Sequence, residues 1–131
     1  ILENDKILRQ WFSTEEIQIM KEAVEDHRAS SNHEPRSIYG KIVAEADRVI
    51  DLEITLRRTV QYGLKQNPSG SKEWHYERFL NHLLSKYAEG GYLKLWFENS
   101  KNGERLKELR ALINNRKQLR ETFDRMFMEE K

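Results

Sequence analysis

The sequence has no cysteine, and its 131 residues include only two prolines and six glycines. The absence of cysteine excludes disulfides and zinc sites built on thiolates. Because the residues that interrupt helices are scarce, long helices can run with few breaks. The sequence also lacks any apolar run that approaches the roughly 20 residues of a membrane-spanning helix. It therefore predicts a chain that does not cross a membrane.

An excess of charge of either sign is missing as well. The 23 basic and 22 acidic residues leave a formal net charge of +1 with neutral histidines. A nearly neutral chain lacks the electrostatic character of proteins that bind nucleic acid or acidic membranes. The basic residues near the end of the chain are interleaved with acidic ones and form no stripe. We therefore expect neither nucleic acid nor a membrane as a partner.

Apolar residues at helical spacing dominate what is present. They recur three and four residues apart along most of the chain, which predicts an all-α protein, a bundle of about six helices. The Ser13-Thr14-Glu15-Glu16 run has the pattern of a capping box and starts one of these helices. Further helices are predicted over residues 36–50, 52–66, from 71 onward and over 104–128. The aromatic segment 92–97 is predicted to be a short helix, with an extended conformation as the alternative.

The Asn67-Pro68-Ser69-Gly70 run is the strongest break in the helical pattern. It divides a helical domain over residues 1–66 from a helical extension over 67–131, and we expect the extension to pack on the domain in one compact unit. At the other end, the chain starts at Ile1 with a pattern typical of the inside of a helix. We therefore expect further residues upstream of Ile1.

Two polar residues interrupt apolar stripes and are the candidate site. His27 follows Ile17, Met20 and Val24 on one predicted helix face, and Asp47 lies beside the row of Ile42 and Val43 on the next. A buried carboxylate is costly unless it is paired or bound to a metal. An aspartate with an imidazole suits a divalent transition metal, which predicts a metal site between two adjacent helices. From the residues alone the alternative is structural, with His27 at a helix end and Asp47 either paired with Arg48 or partly exposed.

Two runs of sequence carry a resemblance to a known family. The runs are Glu22-Ala-Val-Glu-Asp-His-Arg-Ala-Ser-Ser31 and Glu34-Pro-Arg-Ser-Ile-Tyr-Gly-Lys-Ile-Val-Ala-Glu-Ala-Asp-Arg48. Together they resemble the bacterial HD-domain metal-dependent phosphohydrolases, over about residues 1–60. The resemblance implies an all-α bundle that is HD-domain-like in its first half. It also implies a divalent metal ion (Mn, Ni, Fe, Co or Mg) that activates water for attack on a phosphate ester or nucleotide.

The resemblance also implies roles for individual residues. Asp47 corresponds to the last metal ligand of the family, and His27 to an additional histidine that serves a second metal or the substrate phosphate. Arg28 and Lys41 correspond by position to phosphate contacts. The chain contains no His-Asp dipeptide, so the family's leading His and its His-Asp pair would lie before Ile1. A catalytic metal needs about three protein ligands, so we expect these 131 residues to bind metal weakly and to catalyse little.

The alternative is a non-catalytic helical module with a role in regulation or oligomerisation. In that case the aromatic segment 92–97 and the apolar stripe of the last helix would dock a partner, and the extension would support a homo-oligomer. Because proteins similar to the HD family are intracellular and the chain has no cysteine, we expect a cytoplasmic location.

Overall fold

A computed structural model of the chain describes residues 1–97 and 99–131. These residues form helices and connecting segments and contain no strand, which confirms the predicted all-α class. A short 3-10 helix spans Leu2–Asn4. Seven α-helices follow in the described ranges, where about six were predicted: α1 Lys6–Trp11, α2 Thr14–Asp26, α3 Ile38–Asp47, α4 Leu52–Gln66, α5 Lys72–Lys86, α6 Lys101–Asn114 and α7 Arg116–Glu130.

The chain forms two compact units. The first comprises Ile1–Val49 and the segment that begins at Lys94, and the second comprises Ile50–Leu93 and Asn99–Lys131. The turn at residues 67–70, where the sequence predicts a boundary, lies inside the second unit. The reason is that α4 and α5, on either side of this turn, pack against each other and both pack against α7. The chain divides between Val49 and Ile50 instead.

Side-chain caps start most of the helices, and the sequence signals for them are reliable. The predicted capping box is confirmed, since the Ser13 hydroxyl accepts from the Glu16 backbone N–H at 3.1 Å and the Glu16 carboxylate accepts from the Ser13 N–H at 3.2 Å. The hydroxyl of Ser71 accepts from the N–H of Trp74 at 3.1 Å and starts α5. Such bonds satisfy N–H groups that have no partner within the helix.

The prediction of one long helix over residues 104–128 is wrong, because the chain breaks at Asn115. This residue adopts φ −97° and ψ 82°, outside the helical region, and its N–H donates to the carbonyls of Ala111 and Leu112 at 3.1 and 3.0 Å. Its side-chain oxygen accepts from the N–H of Gln118 at 3.2 Å and caps α7. The break allows α6 and α7 to pack against each other, as a continuous helix could not.

The prediction of a helix at residues 92–97 is also wrong, since this segment has no regular secondary structure. The backbone N–H groups of Tyr92 and Leu93 donate to the carbonyls of Ser85 and Lys86, both at 3.0 Å. The chain therefore folds back along the end of α5 and uses its last carbonyls, which have no partner within the helix. Leu93 is only 4% exposed there, so burial of this side chain outweighs any local preference for helix.

The second unit contains most of the apolar core. Its centre is a cluster of aromatic rings, in which Phe123 lies 5.1 Å from Phe79 and 5.5 Å from Phe127 between ring centroids. His75 is also buried, and its Nε2 pairs with the carbonyl of Asn67 at 2.9 Å, which ties α5 to the turn before it. Several further side chains are fully buried around the cluster: Leu83, Leu109, Leu119 and Met126.

The first unit has a much smaller core, and its large apolar side chains are mostly exposed. The buried apolar residues in its described part are Ile17, Ala23, Pro35 and Ala44. Where α2 and α3 meet, a Cβ on Gly40 would lie 3.6 Å from the Cα of Ala23, so the two backbones approach closely. Because small residues make this contact, the larger residues of the predicted stripes are left at the surface, about half exposed or more: Val24, Ile38, Ile42 and Val49.

Candidate functional site

Asp47 is the last residue of α3 and is exposed to solvent. The prediction that its carboxylate is buried among apolar neighbours is therefore wrong, because α3 turns the face of Gly40 and Ala44 inward and the row of Ile42 outward. Within residues 1–97 and 99–131 the Asp47 carboxylate makes no hydrogen bond or ion pair. It is thus accessible to a ligand from solution.

His27 is half-buried at the end of α2, where it is the C-cap residue. Its ring Nδ1 is hydrogen-bonded to the carbonyl oxygen of Val24, one turn back in the same helix. Since a carbonyl can only accept, Nδ1 carries the proton in this contact, and Nε2 of the neutral ring is left with its lone pair. A lone pair held in this way is suited to bind a metal ion or to accept a proton.

Asp47 and His27 lie at opposite ends of the α2–α3 pair. The backbone N–H of Arg36 donates to the Asp26 carboxylate at 3.0 Å, so α3 begins beside the end of α2 and next to His27. Asp47, ten residues along α3, is about 14 Å further along the helix axis. No group of three or more His, Asp or Glu side chains in the described parts of the chain is arranged to hold a metal ion.

The two predicted phosphate contacts occupy different surroundings. Arg28 is exposed, just beyond the end of α2. Lys41 is half-buried in the first turn of α3, where its ammonium pairs with the Glu34 carboxylate at 2.6 Å. The same ammonium lies 5.6 Å from the centroid of the Trp96 ring, within the range of a cation–π contact. Of the two, only Lys41 is held in a defined position.

The buried carboxylate of the first unit is Asp26, which the sequence interpretation overlooked. Its side chain is 1% exposed, and it accepts hydrogen bonds from Nε and Nη2 of Arg36 at 3.0 and 2.9 Å. These bonds hold the pKa of Asp26 below its usual value, although burial opposes the shift. The cation that neutralises the buried carboxylate is thus a guanidinium. Asp26 stands three residues after Ala23, and this helical spacing could have indicated that both lie on the buried face of α2. Its partner Arg36 is ten residues further along, across a loop, where helical spacing gives no indication of the contact.

An apolar groove of about 540 Å³ runs along the first unit between α2, α3 and the start of the chain. Glu16 is the charged residue in its lining, and the other lining residues are apolar: Leu2, Phe12, Ile19, Met20, Ala23, Val24, Tyr39, Ile42 and Val43. Several of these apolar side chains are exposed, among them Val24 at 52% and Ile42 at 51%. An apolar groove at the surface is a candidate contact site.

The inward face of α3 contains a second unusual group, Arg48, which is 7% exposed. Its Nε and Nη1 atoms are buried and have no hydrogen-bond partner among the described residues, and the same holds for the indole Nε1 of Trp96. Burial lowers the pKa of Arg48, and the charges of Glu45 and Asp47 oppose that shift. Buried donors without acceptors are rare in folded proteins, and each requires an explanation.

Comparisons with protein-family models, with curated protein sequences and with solved structures find no match for this chain. The helices of the described residues are all too short or too polar to cross a lipid bilayer.

Proposed function

We propose that the chain is part of an HD-type metal-dependent phosphohydrolase, in which Asp47 is a metal ligand and His27 serves a second metal or the substrate phosphate. The resemblance of residues 22–31 and 34–48 supports this assignment. The observation that favours it most is the hydrogen bond of His27 Nδ1 to the Val24 carbonyl. Histidines that bind metals usually donate their other ring N–H to a carbonyl or carboxylate, which fixes the ring and its tautomer.

These two residues do not form a metal centre by themselves. They lie at opposite ends of the α2–α3 pair, and a firmly bound catalytic metal requires about three protein ligands. The proposal therefore assigns the remaining ligands, a His and a His-Asp pair, to polypeptide outside these 131 residues. A complete centre supplies a Lewis acid and an activated water. The 131-residue chain alone is expected to hydrolyse phosphate esters poorly.

Weak metal binding by this chain can be located with Mn²⁺ as a paramagnetic probe. On titration with Mn²⁺, amide signals near Asp47 are expected to broaden first, because its carboxylate is exposed and unpaired among the described residues. Asp47→Asn should abolish this broadening. The matched control is Glu121→Gln, which neutralises an exposed carboxylate of the second unit. Broadening that is equal at all carboxylates, or unchanged in Asp47→Asn, would contradict the assignment of Asp47.

The catalytic part of the proposal is tested in a polypeptide that also carries a leading His and a His-Asp pair. With Mn²⁺ or Ni²⁺ that polypeptide should hydrolyse generic phosphodiesters or nucleotides, and Asp47→Ala should remove the activity. Hydrolysis that survives Asp47→Ala undiminished would exclude the HD-type assignment.

A second candidate function, a non-catalytic module for regulation or oligomerisation, is favoured by the apolar surface of the first unit. Val24, Tyr39 and Ile42, which line the groove, are 52%, 58% and 51% exposed. A unit with so few buried apolar residues gains stability when such a surface is covered. A standard interface buries about 800 Å² on each partner, and a second copy offers the same apolar surface. The surface lies in the first unit, whereas the sequence suggested the 67–131 extension.

Self-association through this surface is tested by sedimentation velocity at several protein concentrations. We expect a concentration-dependent dimer, and Ile42→Lys should weaken it at least about tenfold because a charge is buried in an apolar contact. Ile42 is half exposed, so the fold should tolerate the change. The control is Met128→Lys, which places the same charge on an exposed apolar residue of the second unit. A monomer at every concentration would exclude this candidate.

A further inference from the structure

The apolar groove of the first unit has the shape that the contact between α2 and α3 gives it. The two backbones approach closely where a Cβ on Gly40 would lie 3.6 Å from the Cα of Ala23, and Ala23 lines the groove while only 4% exposed. Larger apolar side chains form the walls, with Val24 and Ile42 about half exposed. The resulting volume of about 540 Å³ lies within the roughly 300–1,000 Å³ of pockets that bind small molecules.

The charge in the lining of the groove is of one sign. Glu16 is the charged residue of the lining, and no lysine, arginine or histidine lines the groove in the described parts of the chain. Oε1 of Glu16 accepts from the Ser13 N–H at 3.2 Å in the capping box. Within residues 1–97 and 99–131 the carboxylate makes no other hydrogen bond or ion pair. Its second oxygen is therefore available to a ligand.

The groove has an acidic end and an apolar end. Glu16 stands in the first turn of α2, and Val24 is eight residues further along, about 12 Å along the helix axis. Tyr39 lies at the same end as Val24, because α3 begins beside the end of α2. The helix dipole places about half a positive charge at the start of α2, and the carboxylates of Glu15 and Glu16 outweigh it. A polar group on a bound molecule would thus meet net negative charge at that end.

We propose that the groove binds a small amphiphilic cation, a molecule with an ammonium or guanidinium head and an apolar body about 12 Å long. The head lies against the Glu16 carboxylate, and the body lies along Ala23 and Ile42. Burial of the apolar body supplies most of the affinity, because apolar surface is removed from water on both partners. The carboxylate selects the sign of the head. Because Glu16 is exposed, this selection is modest.

This site is independent of the HD-type assignment, since it needs no metal and its lining includes neither Asp47 nor His27. It shares its surface with the second candidate function, because a second copy packed over the groove would exclude the ligand. Self-association is measured without any ligand, whereas the ligand site depends on the charge of Glu16. A chain that stays monomeric at every concentration can still bind the cation, so the failure of one proposal is distinguishable from the failure of the other.

The test is a titration of the 131-residue chain, at low protein concentration, with octylammonium and with octanoate below their micelle-forming concentrations. The two ligands share one apolar body and differ in the sign of the head. Side-chain methyl signals are followed by NMR, and saturable shifts are expected at Met20, Ile42 and Val43, which line the groove, and not at Met128 of the second unit. Octylammonium should bind about threefold to tenfold more tightly than octanoate, as expected for one exposed charge that attracts one head and repels the other.

Glu16→Gln tests the role of the carboxylate. Glutamine keeps an oxygen that can accept from the Ser13 N–H, as the capping box allows, so the start of α2 is retained while the charge is lost. The preference for octylammonium over octanoate should fall to less than about twofold. The matched control is Glu15→Gln, which removes a neighbouring exposed carboxylate that does not line the groove and should keep most of the preference.

Ile42→Lys tests the groove itself, because it places a cation in the wall. It should weaken octylammonium binding at least about tenfold, and the fold should tolerate it since Ile42 is half exposed, whereas Met128→Lys should leave the affinity unchanged. The proposal is overturned by a lack of saturable shifts in the groove, by equal shifts at Met128, by octanoate that binds as tightly as octylammonium, or by a preference that Glu16→Gln leaves unchanged.

Discussion

Replacing Phe123 by alanine is expected to destabilise the second unit by about 3–5 kcal/mol, the usual loss when a buried phenylalanine is truncated. The ring of Phe123 is 0% exposed and lies 5.1 to 5.5 Å, between centroids, from three other aromatic rings. These rings come from α5 and α7, so the cavity left by the change would open between the two helices. Collapse of the cavity is limited because its aromatic neighbours are rigid.

The loss is measured by urea unfolding followed through amide signals of α5 and α7. Met128→Ala, on the same helix, is the control: that side chain is 76% exposed, and its removal should change the free energy of unfolding by less than about 0.5 kcal/mol. Phe123→Leu keeps most of the apolar volume and should cost less than Phe123→Ala. Equal stability of Phe123→Ala and Met128→Ala would contradict the packing described for the second unit.

Replacing Arg36 by glutamine is expected to loosen the first unit, because the buried Asp26 carboxylate loses its cation. Arg36 donates four hydrogen bonds to the carboxylates of Asp26 and Glu25. Three of them come from its guanidinium and one from its backbone N–H. Hydrogen bonds to charged groups are among the stronger ones. Amide protection in α2 and α3 is expected to fall by roughly tenfold to a hundredfold, and hydrogen exchange measures this opening separately from the second unit.

The same substitution should reverse the dependence of stability on pH. In the native chain Arg36 depresses the pKa of Asp26. The ionised Asp26 therefore stabilises the folded first unit at pH values above its unfolded pKa of about 3.9, and this stabilisation is lost as the pH falls through the lower pKa of the folded state. Without the guanidinium, burial remains and raises the folded pKa. Arg36→Gln should then become more stable as the pH falls toward 4.

Glu25→Gln is the matched control for Arg36. The Glu25 carboxylate also pairs with Arg36, at 2.9 Å, but its side chain is 50% exposed. Exposed ion pairs contribute little, so this variant should change amide protection by less than about threefold. Arg36→Gln with unchanged protection, or with the native pH dependence, would show that the guanidinium is not what stabilises Asp26.

Local sequence signals were sufficient for helix starts and for some complete helices. The predicted 52–66 helix is α4, with the same first and last residues, because its ends are set by an aspartate cap and by the Asn67-Pro68 break. The interruption at Asn115 was missed because the apolar spacing of α6 and α7 continues across it. Only the packing of these two helices on each other determines that the chain turns there.

The candidate site shows where pattern reasoning failed. The principle that a buried carboxylate needs a cation holds, but it applies to Asp26 and Arg36, and Asp47 is exposed. The stripe of large apolar residues predicts the buried face of each helix, and in the first unit this prediction is wrong. In α2 and α3 the contact is made by Ala23, Gly40 and Ala44, since small residues allow a closer approach of the two backbones.

The sequence by itself determined the all-α class, the helix caps, and the absence of disulfides and thiolate metal sites, because these depend on residue type and on spacing over a few positions. Only the tertiary structure decided which faces are buried, where the chain divides into two units, and that an apolar groove lies open between α2 and α3. These features depend on contacts between residues far apart in sequence, and local periodicity contains no information about such contacts.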